Sequence, residues 1–358
     1  EILAALVVYV FVAGFLGYVV TVCLILFGGV GLEGIELGLA YLAALVVPSA
    51  VLINAFKGYF LGKEKIKDFN ATSWVEKGLY VSFLIVLFSF GWLTLFSALS
   101  VLVFASLINV GRSWYYANKF GDLTMSFNLL VAKGMMKKGV LYALALFFIA
   151  ANYKLNILLL GYMSNAAEIG YYAVSLQVSE LMWQLPAAFM VILLSRSANR
   201  DRADLSWPIK VAAATRTLLF ISFFIFLFLA ISAFMFIEYV FGQEYGPAKW
   251  VVVVLLMSAF FMIPFKSLNA DFAGSGKPMF SIYVTLPSIL VNTIFCFWLI
   301  PPYGAFGAAL AVLISYIVCG ALIVTVYSKI NSISLTDLLI IKFEDITSLV
   351  SYVKKMRR

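Results

Sequence analysis

The stretch TLLFISFFIFLFLAISAFMFI, residues 217–237, contains no charged side chain and decides the kind of fold that this chain adopts. A helix needs about 20 consecutive apolar residues to cross the hydrocarbon core of a bilayer. The run is continuous, whereas the strands of a membrane β-barrel alternate apolar and polar residues. Comparable runs recur on both sides of it, so we predict an all-α polytopic membrane protein.

The composition also indicates that lipid is the main solvent of the chain. Of its 358 residues, 64% are hydrophobic and 12% are charged, and the mean hydropathy is +1.04, which no ordinary soluble domain shows. Cys23, Cys296 and Cys319 each lie in an apolar run, so neither a disulfide framework nor a metal site is predicted. The sequence has no histidine, which excludes triads, metal sites and proton relays built on that residue.

The apolar runs divide into about ten predicted membrane helices. The third and fourth are separated only by Gly91 and Trp92, so a single long bent helix is the alternative there. No basic region or cleavage site precedes the first run, so we expect a fragment and not a protein with a signal peptide. The predicted spans are 3–27, 37–56, 75–90, 93–110, 136–163, 169–194, 211–237, 250–268, 279–300 and 304–327.

The basic residues test this map, because Lys and Arg concentrate in short cytoplasmic loops. With residue 1 on the cytoplasmic side, all of the 25 basic residues except Lys154 and Lys249 fall in or beside cytoplasmic segments. A wrong helix count would scramble this alternation. The net charge of +8 is therefore explained by the basic cytoplasmic loops and does not indicate nucleic-acid binding. The same map predicts a protein of the cell membrane with a cytoplasmic C-terminus.

Loop lengths predict two lobes and a tail. The longest internal connection, residues 111–135, separates an incomplete N-terminal lobe of about four helices (1–124) from a C-terminal lobe of about six helices (125–328). Residues 329–358 read as a cytoplasmic amphipathic helix, or alternatively as a solvated tail. The external loops are too short for a catalytic domain, so we expect no enzyme and no catalytic residues.

Two ionisable side chains deep in predicted spans are the candidate functional residues, since such groups cost several kcal/mol in lipid. Lys154 and Glu180 each lie about 14 to 16 Å from the outer end of their helix, counted at roughly 1.5 Å per residue, and we expect them to meet near the midplane. Gln177 would share the face of Glu180, and Asn152 and Asn156 flank Lys154. The alternative is a buried pair that only fixes helix packing. No carboxylate is predicted deep in a span of the first lobe.

Three sets of residues in the second lobe resemble the polysaccharide flippases of the multidrug/oligosaccharidyl-lipid/polysaccharide (MOP) exporter superfamily. The resemblance covers residues 125–328 well and the first lobe by helix layout only, and it depends on the order and spacing of the whole set. The first set is YKLN at 153–156, LGYMS at 160–164, EIGYYA at 168–173 and Leu185-Pro186. The second is FGQEY at 241–245 with Ala248, and the third is GKP at 276–278, Asn292, LIPPYG at 299–304 and GAA at 307–309.

The resemblance implies a fold like that of the multidrug and toxin extrusion (MATE) transporters, with about twelve spans in two lobes. It implies a flippase for polyprenyl-diphosphate-linked oligosaccharides that works by alternating access, without a cofactor, in contact with membrane lipid and with other polysaccharide-assembly proteins. Lys154 would face the diphosphate, and Arg216 and Lys266 would gather it at the cytoplasmic mouth. Asn156 stands where the family commonly has an acid. The alternatives are a multidrug antiporter and, less favoured, an envelope polymerase or ligase.

Overall fold

The computed structural model describes residues 13–23, 37–120, 129–201, 204, 206–342, 344 and 345. The regular structure of these residues is helical throughout, and eight of the helices are long and apolar enough to cross a membrane. The all-α polytopic fold predicted from the sequence is confirmed. The chain divides into two compact units, Glu1–Lys138 and Gly139–Arg358. The sequence predicted that the second lobe begins at residue 125.

The helices are numbered in chain order. In the first part of the chain they are α1 (Ala13–Cys23), α2 (Leu37–Ala44), α3 (Val46–Gly62), α4 (Ile66–Ser89), α5 (Leu95–Phe120) and α6 (Leu129–Met163). They continue as α7 (Ala166–Glu180), α8 (Gln184–Asn199), α9 (Trp207–Phe241), α10 (Ala248–Phe261), α11 (Ile263–Gly274), α12 (Met279–Asn331) and α13 (Leu335–Leu339).

The first unit contains separate third and fourth spans, so the single bent helix is excluded. A turn with Gly91 at φ 70° ends α4 and precedes α5. However, α4 begins nine residues before the predicted start at 75, because the polar segment before Val75 is helical: Thr72 Oγ1 donates to the Asp68 carbonyl at 2.8 Å. Because this segment is as polar as a loop, the sequence did not predict that it belongs to the helix.

The longer α4 has one carboxylate, Glu76, within the helix and away from its ends. Glu76 lies about 15 Å from the start of α4, at 1.5 Å per residue, near the middle of the helix. Asn109 Nδ2 on α5 donates to Glu76 Oε2 at 3.3 Å and to the Thr72 carbonyl at 2.9 Å. The amide of Asn109 therefore connects α4 and α5.

In the second unit, two predicted spans are interrupted. A 3₁₀ turn over Leu181–Trp183 separates α7 from α8 within the predicted span 169–194, and a break at Met262 separates α10 from α11. Proline lies just beyond each break, as Pro186 and Pro264, and lacks the N–H that a continuous helix would use. The prolines in these spans thus coincide with real breaks.

The last two predicted spans form an antiparallel hairpin within α12. The backbone reverses at Gly304, which has φ 53° and ψ −128°, a conformation that favours glycine. Ser315 Oγ donates to the Ser288 carbonyl at 2.8 Å; in a straight helix these residues would be about 40 Å apart. The halves approach closely at Gly307, where a Cβ atom would overlap the Leu299 carbonyl.

The C-terminal segment after α12 is described as far as Asp345. Helix α13 packs Leu338 into the core with no exposed surface. Ser334 caps it by accepting from the Asp337 backbone N–H at 3.0 Å. The rest of the predicted amphipathic helix, residues 346–358, lies outside the described residues.

One buried carboxylate connects four helices of the second unit. Asp271 on α11 accepts from Trp207 Nε1 at 2.6 Å, from Ser197 Oγ at 2.6 Å and from the Tyr327 hydroxyl at 2.9 Å. Its side chain is almost fully buried. Hydrogen bonds to a charged group each contribute about 1.5–3 kcal/mol, so this network fixes α8, α9 and α12 around α11.

We expect Asp271→Ala to lower the free energy of unfolding in detergent by about 3 kcal/mol, because three donors then lose their acceptor. Thermal unfolding followed by circular dichroism measures this. The matched control is Asp204→Asn, an exposed carboxylate that bonds Ser206 and Lys210 and should change the transition little. Equal stability of both variants would contradict the structural role of Asp271.

Candidate functional site in the second unit

Lys154 and Glu180, the two intramembrane charges singled out from the sequence, line the same cleft. The cleft has a volume of about 270 Å³ and also contains Lys266. The remaining lining residues are Tyr153, Leu176, Trp183, Gln184 and Tyr316. The structure thus brings together three ionisable groups from α6, α7 and α11, all within helices long enough to span a membrane.

The break between α7 and α8 shapes this cleft. Glu180 is the last residue of α7, and the 3₁₀ turn that follows carries Trp183. Trp183 and Gln184 follow Glu180 by three and four residues, a spacing that keeps side chains on one face of a helix, and both line the cleft. Gln177, predicted to share the face of Glu180, is exposed on α7 and is not among the lining residues.

The charges of the cleft are not neutralised by one another. Within the described residues, neither Lys154 nor Lys266 forms an ion pair within 4.0 Å, and Glu180 forms none either. Lys266 Nζ lies 3.8 Å from the centroid of the Trp183 ring and 5.4 Å from that of Tyr153. These ring faces attract the cation but leave its hydrogen-bonding capacity unused. The cleft therefore carries one net positive charge.

Three aromatic rings form a connected wall of the cleft. The centroids of Tyr153 and Tyr316 are 6.0 Å apart, those of Tyr153 and Trp183 6.4 Å, and those of Trp183 and Tyr316 6.5 Å. Such tilted and edge-to-face contacts stabilise each ring in place. The wall is therefore a continuous aromatic surface in the cleft that holds Lys154 and Lys266.

The asparagines that flank Lys154 in sequence are not in the cleft. Asn152 Oδ1 accepts from Ser315 Oγ at 3.3 Å, and Asn156 Oδ1 accepts from Cys296 Sγ at 3.1 Å. Both side chains are buried in the lobe interior. The physical reason is helical spacing, since residues two apart on a helix point about 200° away from each other. The expectation that they flank the ammonium in space is corrected.

Arg216 is also separate from the cleft. Its Nε and Nη2 donate to the two carboxylate oxygens of Asp345 at 2.8 and 2.9 Å, and Nη1 donates to the Asp337 carbonyl. This bidentate pair connects α9 to the C-terminal segment. Lys266, expected beside Arg216 at the cytoplasmic mouth, instead lines the cleft with Lys154. A binding role for either residue stays a prediction.

Comparison with known proteins identifies the family. Residues 34–250 match the family model described as "Polysaccharide biosynthesis protein", which is more than half of the chain. The chain belongs to this family. No curated protein matches the sequence significantly.

Solved structures similar to this polysaccharide biosynthesis family member are MOP superfamily transporters. An outward-facing MATE family multidrug transporter matches with a TM-score of 0.70 and 12% identity, over 92% of this chain and 78% of the other. A MATE transporter from Vibrio cholerae gives 0.69 and 12%, over 91% and 78%. A MOP transporter from Pyrococcus furiosus, whose binding pocket has reversed polarity that suggests a different function, gives 0.68 and 14%, over 92% and 78%.

These matches confirm the MATE-like fold predicted from the sequence, and the family match agrees with the predicted resemblance to polysaccharide proteins. The aromatic wall and the place of Lys266 were missed by sequence reasoning. The usable signals were the position of Tyr153 beside Lys154 and the Leu185-Pro186 pair, which predicts a bend directly after Trp183. No pattern in the sequence indicated that Tyr316 on α12 would join them.

The ion pair of Arg216 predicts a specific pH dependence. The Arg216 guanidinium holds the pKa of Asp345 below its ordinary value, with help from the Lys342 backbone N–H and ammonium. A lowered carboxyl pKa contributes stability that is present above the unfolded value of about 3.9 and is lost as the pH falls through the folded value.

We expect Asp345→Asn to lower the free energy of unfolding by about 2 kcal/mol at pH 7. The difference from wild type should shrink as the pH falls below about 4. Thermal unfolding between pH 7 and pH 3 measures it. Glu244→Gln is the control, because Glu244 is an exposed carboxylate beyond the end of α9 that is far from Arg216. A difference that stays constant with pH would contradict the assignment.

Proposed function

We propose that this protein is a flippase that moves polyprenyl-diphosphate-linked oligosaccharides across the cell membrane by alternating access of two lobes. The observation that carries the proposal is the pair of ammonium groups of Lys154 and Lys266, which share one cleft. Neither has a carboxylate partner within 4.0 Å in the part of the chain that the structure describes. Charges inside a span are expensive, and an anionic ligand offsets that cost. The family match to polysaccharide biosynthesis supports an oligosaccharide as cargo.

A diphosphate suits these two lysines chemically. Its oxygens accept several charge-assisted hydrogen bonds at once, and each ammonium has three rotatable donors on a flexible stem. Lys266 would exchange the weaker attraction of the Trp183 ring for a direct phosphate contact. The aromatic wall would remain available to pack against the apolar faces of the first sugar.

Glu180 would limit how tightly the anion is held. A transporter must release its cargo, and a carboxylate in the same cleft repels phosphate and competes for the lysines. With Glu180 ionised, the cleft has one net positive charge, and without it two. We therefore propose that Glu180 favours release.

A multidrug antiporter is the second candidate. Glu180 and the aromatic faces are the groups that a cationic drug would use, and the MATE structures are similar in fold. Against this, Lys266 already covers the face of Trp183, and two lysines repel a cation. An enzymatic polymerase or ligase role finds no cluster of catalytic groups in the described residues.

We expect Lys154→Ala and Lys266→Ala each to reduce flipping at least about tenfold, since each removes a charge-assisted contact of roughly 1.5–3 kcal/mol. Flipping of a fluorescent lipid-linked oligosaccharide is measured in vesicles that contain the complete protein. Lys210→Ala is the matched control, because this exposed lysine pairs only with Asp204 near the start of α9. Normal flipping by the Lys154 and Lys266 variants, or transport of a cationic dye instead, would refute the proposal.

Glu180→Gln should bind the lipid-linked substrate more tightly and release it more slowly. We expect a lower apparent KM together with a lower maximal rate, because the cleft gains one net positive charge. Concentration series in the same vesicle assay measure both constants. Glu244→Gln serves as the control, since Glu244 lies outside the spans. A raised KM for Glu180→Gln would assign the carboxylate to substrate binding instead.

A further inference from the structure

A second, larger cavity of the second unit is an apolar groove of about 580 Å³ between α9, α10, α12 and the C-terminal segment. Aromatic rings of α9 and α10, including Phe220, Phe223 and Phe260, form one side. Ile317 and Val324 of α12 form the other. The groove shares no lining residue with the Lys154 cleft, so it is a separate site.

The position of the groove places it at the edge of the hydrocarbon layer. Helices α9, α10 and α12 belong to membrane-spanning segments, whereas α13 follows the end of α12 at Asn331. Leu335 and Leu339 of α13 line the groove and are still 49% and 43% exposed. At a membrane boundary, this apolar surface needs hydrocarbon to cover it.

The electrostatics of the groove select an uncharged occupant. Arg216, its one charged lining residue, is neutralised by the bidentate pair with Asp345. The Thr325 hydroxyl already donates to the Ala321 carbonyl at 2.7 Å. Among the described lining residues, no free charge remains for a phosphate or a cationic drug, so burial of apolar surface is the available driving force.

The volume of the groove corresponds to about twenty methylene-sized groups, if each takes roughly the 30 Å³ of a water molecule. One fatty acyl chain has this size. A polyprenyl chain, with a methyl branch in every isoprene unit, is much bulkier. Its diphosphate would also find no free cation among the described lining residues of the groove. The C-terminal segment closes the groove and is itself held by the Arg216–Asp345 pair.

We propose that this groove binds one acyl chain of a bilayer phospholipid from the leaflet that contains α13, and that the chain secures the C-terminal segment against α9 and α12. The headgroup lies at the membrane surface beside α13. This site goes beyond the proposed transport activity and does not depend on it.

The experiment identifies lipid retained by the complete protein after extraction in a mild detergent, by native mass spectrometry and analysis of the extracted lipid. We expect about one retained phospholipid per wild-type chain and at least a fivefold lower occupancy for Ala321→Phe, which fills the groove with a ring. Ala143→Phe is the matched control, because Ala143 is exposed on α6 away from the groove. It should retain lipid like wild type.

Folding of each variant is checked by size-exclusion chromatography and circular dichroism. If Ala321→Phe fails to fold, Leu339→Gln is tested in its place. We expect its phospholipid occupancy to be at least twofold lower than that of wild type. The proposal is overturned if wild type retains no lipid, if the retained species is a polyprenyl lipid, or if the groove variants keep the occupancy of Ala143→Phe.

Discussion

The cost of holding a charge in a medium of hydrocarbon governs how this protein is built. An ionised side chain inside a span needs water, a partner or a ligand, and the second unit supplies partners for some charges only. Asp271 is surrounded by three donors, and Arg216 is paired with Asp345. Lys154, Lys266 and Glu180 line an open cleft without such pairing within the described residues. The paired groups stabilise the fold, and the unpaired ones are the candidates for function.

Interrupted helices create the space in which the unpaired charges lie. Glu180 and Trp183 lie at the 3₁₀ turn that interrupts residues 166–199 between α7 and α8, and both line the cleft. The break between α10 and α11 precedes Lys266 by a few residues. In both places a proline follows the break, so a local feature of the sequence determines where the lobe can form a site.

The two cavities of the second unit differ in the kind of ligand that they can hold. The cleft has free cations and aromatic faces, which suits an anionic and partly apolar group such as a sugar diphosphate. The groove has only apolar walls and satisfied polar atoms, which suits a hydrocarbon chain. A flippase for a lipid-linked sugar works in contact with both chemistries. In the proposed function, the separation of the two sites would let the transported molecule and the surrounding lipid bind independently.

The sequence alone determined the helical class and the approximate spans, because apolar length and the alternation of basic loops are one-dimensional signals. It also found Lys154 and Glu180, since a charge in an apolar run is visible without a structure. It misplaced the start of α4, because the segment before Val75 is polar, yet helical, and it contacts α5.

Tertiary structure alone decided which side chains share a cleft. Asn152 and Asn156 lie two residues from Lys154 in sequence, yet helical spacing points them into the lobe interior. Lys266 and Tyr316 join Lys154 from α11 and α12, more than a hundred residues away along the chain. Arg216 found its partner in the C-terminal segment. These contacts between distant residues depend on helix packing and on breaks in the helices, so a pattern along the sequence does not predict them.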